Sequence, residues 1–324
     1  MTVTDITSVL ITGPTRGLGR SLVDELARRG TSALTLLGRP SDALQAVADQ
    51  ARRAGVPHVA VLPVDLADLR SVHAVGPALR AAVDAGHPPP DALVLNAGIR
   101  TSDRRQVSAQ GHELTFAVNV LAQHLLLTVL LPQTAAGGQA VLLGSGTHWG
   151  GRHSMYLVPR PSWQDPLLLA RGGSPDVPEE RSAGARAYAT SKLAVVHLAH
   201  VWQRRAQSGQ RVNVYDPGLM PGTGLARDLR PHEQWVWRTL MPGLRVLPGV
   251  TSPDRSSRHL AGLVLGERHA ALRGGYVELG RARRSSPASY DAAREDRLWE
   301  VCEELAAQAA DAPQAGAPEV GRLP

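Results

Sequence analysis

A glycine-rich turn near the start of the chain is the first feature with a chemical meaning. Residues 12–19 read TGPTRGLG, between an apolar run and a helical pattern. Glycines at Gly13, Gly17 and Gly19 permit a tight turn and let the backbone approach a pyrophosphate at the helix N-terminus. The spacing is not that of the common G-x-G-x-x-G fingerprint, so its place between a strand and a helix carries the prediction. The turn predicts a dinucleotide site.

Two arginines lie where such a site would meet the ribose of the adenosine. Arg39 follows the second apolar run, and Arg16 lies inside the glycine-rich turn. An acid after the second strand holds the 2′-hydroxyl of NAD, whereas a guanidinium accommodates a 2′-phosphate. The chain has 34 arginines, so either residue taken alone fits a solvated surface position equally well. Together, and without an acid at that place, they predict NADP(H).

Lys192 is the single lysine among 35 basic residues. A bias toward arginine codons explains the skew, but not why one lysine remains. Lys192 follows Tyr188 by one helical turn, so a helix places both side chains on the same face. A compact ammonium differs from a guanidinium fork in shape and hydration, so arginine is a poor substitute there. The pair marks a second site of chemistry.

The elements that must position these residues alternate along the chain. Helical patterns, one of them across residues 111–131, separate most of the apolar runs. Such alternation predicts an α/β fold: a Rossmann-type, doubly wound parallel sheet of about seven strands with helices on both faces. The runs lie at residues 8–12, 33–37, 58–62, 92–95, 140–143, 212–215 and 275–279.

The domain organisation follows from where this rhythm is interrupted. We expect a single nucleotide-binding domain, because one alternating pattern covers nearly the whole chain. A long stretch rich in proline and glycine reads as an inserted, lid-like loop. The predicted segments are a domain over 1–310, the loop over 150–184, substrate-side helices over 219–258, a C-terminal helix over 291–310 and a flexible tail over 311–324.

Several motifs in order along the chain resemble one family. The glycine-rich turn is followed by Asp65-Leu66, by Asn96-Ala97-Gly98 and by the sequence YATSK ending at Lys192. This series resembles the short-chain dehydrogenase/reductases. The likeness to their retinol dehydrogenase and protochlorophyllide reductase branch is carried by FAVNVL at 116–121, SGTH at 145–148, PGLMPGTGL at 217–225 and LWEVCEEL at 298–305.

The resemblance implies catalytic roles for four residues. Tyr188 would be the general acid that protonates a carbonyl oxygen as hydride arrives. A tyrosine pKa near 10 suits that task poorly at neutral pH, so Lys192 is expected to lower the pKa of Tyr188 by its charge. Ser145 would hydrogen-bond the carbonyl. Asn119 would anchor a water that links Lys192 to solvent.

The resemblance also implies contacts to the cofactor. The glycine-rich turn would line the pyrophosphate, the residues after the third strand the adenine, those after the fourth the ribose, and those after the sixth the nicotinamide carboxamide. Asp65 and Asn96 fit equally well as turn residues at strand ends. The predicted cofactor residues are Gly13, Thr15, Arg16, Gly17, Leu18, Gly19, Arg39, Asp65, Leu66, Asn96, Ala97, Gly98, Tyr188, Lys192, Pro217, Gly218 and Thr223.

The spacing between Ser145 and Tyr188 is longer than the family pattern, which makes the 150–184 loop an insertion. Its aromatic residues predict a wall for a bulky apolar substrate, and a surface flap without substrate contact is the alternative. Tyr156 competes with Tyr188 as a proton donor, but Arg160 stands where a lysine is expected and a proline breaks the helix. The predicted substrate contacts are Trp149, Tyr156, Trp163 and Met220.

Composition excludes several classes of partner and site. The net charge is +6, but the arginines are scattered and aromatics make up 4%, which argues against nucleic acid. The single cysteine, Cys302, excludes a disulfide framework and a cysteine zinc site, fits a cytoplasmic protein, and leaves no active-site thiol for protochlorophyllide reduction. His197 and His200 read as structural residues. Polar residues interrupt the 117–131 stretch, so we expect no membrane span.

These observations predict an NADPH-dependent ketoreductase that acts on a lipophilic small molecule in specialised metabolism. Reduction of a C=C bond or an imine, or alcohol oxidation, would use the same groups. A non-catalytic NADP-binding regulator is the alternative outside the enzymes. Relatives often form dimers or tetramers through the helices that carry Asn119 and Tyr188, so a homodimer or homotetramer is a further expectation.

Overall fold

The computed structural model describes residues 7–103, 105–151, 158–172, 182–207, 209–220 and 249–311. Strands and helices alternate through most of this length. The strands are β1 Ser8–Thr12, β2 Ala33–Gly38, β3 His58–Pro63, β4 Ala92–Leu95, β5 Gln139–Leu143, β6 Arg211–Asp216, β7 Tyr276–Glu278 and β8 Arg281–Arg283. The helices are α1 Gly17–Arg28, α2 Asp42–Arg53, α3 Leu69–His73, α4 Val75–Asp84, α5 Leu114–Gln133, α6 Pro166–Ala170, α7 Ala183–Arg205, α8 Pro253–Val264 and α9 Ala292–Asp311.

The strands form one sheet in the order β3-β2-β1-β4-β5-β6-β7-β8. The pairs from β3 to β7 are parallel, and β8 pairs antiparallel with β7. The strand order reverses between β1 and β4. A doubly wound sheet binds its ligand at this switch point. The predicted fold class is confirmed, with the exposed strand β8 added at the edge.

Alternation along the strands divides the core into two layers. In β1, Leu10 packs on one face of the sheet while Val9 and Ile11 pack on the other, as a two-residue period requires. The Leu10 face is covered mainly by α3, α4, α5, α7 and α9. The opposite face is covered by α1, α2 and α8. Burial on both faces explains why the strands read as continuous apolar runs.

Helix α5 is not regular. Residues Ala117–Leu121 form a π-helical turn, and a 3₁₀ turn over Leu131–Gln133 ends the helix. By length and composition α5 is apolar enough to cross a membrane, but most of its apolar window is buried inside the fold. The stretch 117–131 is therefore a core helix here.

The C-terminal helix α9 packs on α3, α5 and α7. Its residues Leu298, Val301 and Cys302 are fully buried in the larger core cluster. The described half of the predicted lid is also packed on this side: α6 contributes Ala170 to the same cluster, and Asp165 at its start binds Arg297 of α9 at 2.8 Å. Residues 158–172 are therefore held against the core. Residues 152–157, 173–181, 221–248 and 312–324, which include the rest of that loop, most of the 219–258 segment and nearly all of the predicted tail, lie outside the described residues.

Candidate active site

The carboxyl ends of the parallel strands meet at one edge of the sheet, which brings the predicted site residues together. The glycine-rich turn follows β1, and Arg39 and Asp65 follow β2 and β3. Asn96 follows β4, and Ser145 follows β5. Tyr188 and Lys192 lie on α7, which packs beside these ends against β5 and β6.

The geometry of the glycine-rich turn fits a phosphate cradle. Gly13 and Gly17 have φ of 64° and 55°, a region that favours glycine. A Cβ on Gly19 would lie 2.2 Å from the Gly13 carbonyl oxygen, so no side chain fits there. Helix α1 begins at Gly17, and the side chain of its N-cap residue, Arg16, makes no capping hydrogen bond. The backbone N–H groups of the turn and of the first residues of α1 fit a dinucleotide pyrophosphate.

Arg16 and Arg39 are both exposed at this edge. The Gly13 N–H donates to the Leu37 carbonyl at 3.0 Å, so the end of β2 is bonded directly to the turn. Arg16 and Arg39 therefore belong to neighbouring segments.

The side chains after β3 and β4 also stabilise turns. The Asn96 amide donates to the carbonyl oxygens of Thr12 and Gly13 at 3.0 and 3.1 Å, which fixes the glycine-rich turn. Asp65 accepts from the N–H of Ala67 at 3.0 Å. Both residues therefore stabilise turns, which was the alternative to a cofactor contact. The side chain of Asn96 also shapes the phosphate cradle.

Tyr188 is buried, with the Ser145 hydroxyl close to its phenol. Burial raises the pKa of Tyr188 to about 12, and the negative charge of Asp216 adds to the rise, while the Ser145 hydrogen bond and the charge of Arg100 lower it. The pKa therefore shifts opposite to the direction that the sequence predicts. The physical reason is that exclusion of water from the phenol outweighs the charges nearby.

The Lys192 ammonium lies 5.7 Å from the centre of the Tyr188 ring and donates to the Leu143 carbonyl at 2.7 Å. It is almost fully buried, and burial lowers the pKa of Lys192 to about 8. The charge of Asp216 opposes this fall. Lys192 thus titrates near neutral pH, which an arginine cannot do.

Asn119 sits in the π-helical turn of α5, and its side chain is fully engaged. Its Oδ1 accepts from the Ile99 N–H at 2.8 Å, and its Nδ2 donates to the Ile99 carbonyl and to Ser191 Oγ. A Cβ on Gly98 would lie 3.1 Å from Asn119 Oδ1 and 3.5 Å from Lys192 Nζ. Asn119 and Lys192 therefore both adjoin Gly98, and Tyr188 lies beside Lys192.

Three further buried residues adjoin this region, and the sequence did not single them out. Asp216 ends β6 and accepts a hydrogen bond from the Tyr276 hydroxyl of β7. His148 Nδ1 lies 2.7 Å from the Ser145 carbonyl oxygen, and His148 Nε2 accepts from the Ser286 N–H. For Asp216, the available signal was a charged residue directly before Pro217, at the end of a buried strand.

The predicted substrate residues do not share one environment. Trp149 is half-buried, with its ring 5.7 Å from that of His148 beside the Ser145 turn. Trp163 lies edge-on to His197 at 4.7 Å in the core, and Met220 is buried in the cluster under α1 and α8. Substrate contact by these three stays a prediction. Tyr156 and the cofactor residue Thr223 lie outside the described residues.

No group of three or more metal-ligating side chains occurs in the described part of the chain. His200 bonds Glu295 at 2.9 Å, and His197 is fully buried between α7 and α9. Both histidines stand in the packing of the C-terminal helix.

Known proteins resemble this chain in sequence. A family model described as short chain dehydrogenase matches residues 7–155. Protochlorophyllide reductase A of Triticum aestivum is 30% identical over 320 residues, covering 92% of this chain and 79% of its own length. The proposed daunorubicin C-13 ketoreductase DnrU of a Streptomyces species is 30% identical over 294 residues, with 91% and 90% covered. Human retinol dehydrogenase 13 is 28% identical, with 90% and 82% covered.

A solved structure carries the same fold. A short chain dehydrogenase from Burkholderia cenocepacia, in complex with NADP, superposes with a TM-score of 0.60 at 22% identity, covering 85% of this chain and 96% of its own.

The chain belongs to the short-chain dehydrogenase/reductase family, an oxidoreductase family that binds nicotinamide cofactors. Within it, the chain falls in the branch of the retinol dehydrogenases and protochlorophyllide reductases.

Proposed function

We propose that this protein is an NADPH-dependent ketoreductase that reduces the carbonyl of a lipophilic small molecule. The observation that carries the proposal is the buried, protonated Tyr188, which has the Lys192 ammonium beside its ring and the Ser145 hydroxyl close to its phenol. A proton donor, a group to orient the carbonyl oxygen and a cation to stabilise the phenolate are what carbonyl reduction requires of the protein.

Two features support NADP(H) as the cofactor. Exposed Arg16 and Arg39 flank the phosphate cradle, and no acid follows β2 at the place where the NAD ribose is held. A bound NADPH would supply the hydride. Gly13, Gly17 and Gly19 would hold its pyrophosphate, and the backbone at Gly98 and Gly218 would border its nicotinamide half.

The chain's own groups then handle the proton. Ser145 donates to the carbonyl oxygen and keeps it close to the Tyr188 hydroxyl. Tyr188 releases its phenolic proton to that oxygen as negative charge develops there. Lys192 stabilises the phenolate that remains, and its pKa of about 8 lets it return a proton to Tyr188. Asn119 holds Ser191, next to Lys192, and so keeps this part of α7 in register.

The substrate class rests on two observations. Trp149 places an aromatic ring beside the Ser145 turn. The relative from Streptomyces bears the name of a ketoreductase, which favours a ketone of specialised metabolism. Reduction of a C=C bond or imine uses the same donor groups, and product analysis separates these reactions from carbonyl reduction.

The test is turnover of a panel of aryl and polycyclic ketones by the full chain. We expect reduction with NADPH, a fall of about 10²- to 10⁴-fold in kcat for Tyr188→Phe, and unchanged turnover in Tyr290→Phe, an exposed control. Tight NADPH binding without any Tyr188-dependent reduction would contradict the ketoreductase and favour the regulator.

Binding of both cofactors to Arg16→Ala and Arg39→Ala tests the nucleotide. We expect each variant to weaken NADPH binding by about 10-fold and to leave NADH binding nearly unchanged. A wild-type preference for NADH would contradict the roles of both arginines.

The remaining proposals concern location and assembly. We propose that the enzyme is cytoplasmic. We also propose that it has no nucleic-acid partner, because its positive charge is scattered along the sequence. A homodimer or homotetramer through α5 and α7 would have to use the surfaces that α9 leaves uncovered.

A further inference from the structure

Asp216 is a buried carboxyl group beside the candidate active site. Only 2% of its surface is exposed, at the carboxyl end of β6. Its Oδ1 accepts from the Gly218 N–H at 2.9 Å, and its Oδ2 accepts from the Tyr276 hydroxyl. Both oxygens thus face donors, which lowers the pKa of Asp216, but burial outweighs these hydrogen bonds and holds the pKa of Asp216 above its usual value.

The Lys192 ammonium is buried without full compensation. Among the residues that the structure describes, its recorded acceptor is one neutral carbonyl, that of Leu143. An ammonium has three donors, and a buried charge is costly unless an opposite charge offsets it. Strands β5 and β6 pair so that Leu143, whose carbonyl accepts from Lys192, lies opposite Tyr215, the residue before Asp216. The negative charge of Asp216 accordingly raises the pKa of Lys192 against the effect of burial.

A chain of buried groups connects Asp216 to the turn that carries Ser145. Because His148 Nε2 accepts from the Ser286 N–H, the proton of the ring is on Nδ1, which donates to the Ser145 carbonyl. Nδ1 also lies 3.5 Å from the Tyr276 hydroxyl, which donates to Asp216. A Cβ on Gly146 would lie 3.5 Å from Asp216 Oδ2. The carboxylate is thus packed directly beneath this turn.

We propose that Asp216 is a positioning residue: it supplies the buried countercharge of the Lys192 ammonium and is held in that role by Tyr276 and His148. The proposal concerns the same site as the proposed reduction. It assigns to Asp216 the task of keeping the Lys192 ammonium and the Tyr188 phenol protonated together, which is the state that a proton donor needs.

The charged and titratable groups around Asp216 all enter this balance. Lys192 and Tyr188 face it from α7, and Tyr276 and Glu278 belong to β7. Burial raises the pKa of Asp216 most, and the negative charge of Glu278 adds to the rise, while the hydrogen bond from Tyr276 and the charge of Lys192 lower the pKa. His148 stands behind Tyr276, and the Tyr215 hydroxyl is engaged by Ser256 on the opposite side of the sheet.

The single lysine makes a direct test possible without any substrate. In the full chain labelled with ¹³C-lysine, the Cε resonance belongs to Lys192 alone, and its shift against pH reports the charge of the ammonium. We expect a wild-type midpoint near pH 8. In Asp216→Asn, which keeps the shape and removes the charge, the midpoint should fall by about one pH unit.

Glu278→Gln is the matched control. It removes the same charge from the same edge of the sheet, and because Glu278 opposes ionisation of Asp216 we expect no fall in the Lys192 midpoint. A folded Asp216→Asn variant with an unchanged midpoint would overturn the proposal, as would an equal fall in both variants.

Tyr276→Phe serves if Asp216→Asn does not fold. Loss of the hydroxyl donor makes the Asp216 carboxylate easier to protonate, so the midpoint should fall in the same direction by a smaller amount; an unchanged midpoint overturns the proposal. Because the titration needs neither cofactor nor turnover, an inactive protein with the expected shifts would contradict the proposed function and leave this inference standing.

Discussion

Each half of helix α7 takes part in burying one ionisable group, and the two groups differ in how completely their charge is paired. In the first half, the Lys192 ammonium donates to a neutral carbonyl, and burial lowers its pKa to about 8. In the second half, Glu295 of α9, also buried, is bonded by His200 and Arg204. These hydrogen bonds hold the pKa of Glu295 far below its usual range.

The difference shows what burial does to an ion in each setting. A buried charge with incomplete pairing is left close to its titration point, where a proton moves at little cost. A buried charge with several donors stays ionised at any ordinary pH and fastens one helix to another. One helix therefore combines the place where we propose proton transfer with a rigid support for it.

Exchange of the basic residue types in the two halves should give the largest contrast. Lys192→Arg should lower turnover about 100-fold, because a guanidinium neither fits the ammonium position nor titrates near neutral pH. Arg204→Lys should leave turnover unchanged and cost about 1 kcal/mol of unfolding free energy. Kinetics and urea unfolding of both variants measure the contrast, and equal losses of turnover would break it.

Removal of the charge at Glu295 tests the second half. Glu295→Gln should lower the free energy of unfolding by about 2 kcal/mol, less than for a fully buried pair because Arg204 is half-exposed. Asp296→Asn is the control: it loses an exposed bond to the same Arg204 and should cost under about 0.5 kcal/mol. Similar costs for the two variants would show that the Glu295 cluster is not a special support.

The comparison of wild type with Glu295→Gln also predicts how the free energy of unfolding depends on pH. The pKa of Glu295 is depressed in the folded chain, so its contribution to stability is present above the unfolded pKa near 4.3 and is lost as the pH falls toward the folded pKa. The gap in unfolding free energy between wild type and Glu295→Gln should be constant above about pH 5 and shrink below about pH 4. A gap that widens in acid would contradict this sign.

His197 should give the smallest effect. It is fully buried, its ring nitrogens have no hydrogen-bond partner among the described residues, and its Nδ1 lies 3.9 Å from Glu295. Burial lowers its pKa, so the ring is neutral. His197→Leu should change the unfolding free energy by less than about 1 kcal/mol, with stabilisation the expected sign. A larger loss would place His197 inside the ion cluster.

The sequence predicts the sheet well because buried parallel strands are recognisable as continuous apolar runs. Strands β1 to β7 coincide with apolar runs between turn residues, and their order follows from right-handed crossovers. Strand β8 reads RAR, is exposed, and offers no such pattern. The sequence pattern does not predict the π-helical turn of α5 either, because its apolar residues fit an ordinary buried helix.

The site was predictable where motifs carry it and not where burial decides. Ser145, Tyr188, Lys192 and Asn119 were predicted by type and spacing, and the structure brings them to one edge of the sheet. The direction of the Tyr188 pKa depends on how completely water is excluded, which spacing does not encode. Asp216 belongs to a network that joins β6, β7 and the turn after β5, so no local pattern in the sequence announces it.

The π-helical turn around Asn119 has a consequence for how this chain tolerates changes in length. A π turn holds one residue more than an α turn, and that extra residue sets the angle at which Asn119 meets Ile99 and Ser191. Substitutions on the surface of α5 leave this angle intact. Loss of a single residue inside Ala117–Leu121 would close the turn into regular helix and rotate everything before it by about 100° relative to the rest. The number of residues in α5 therefore matters for the position of Asn119, although the helix has the composition of an ordinary core helix.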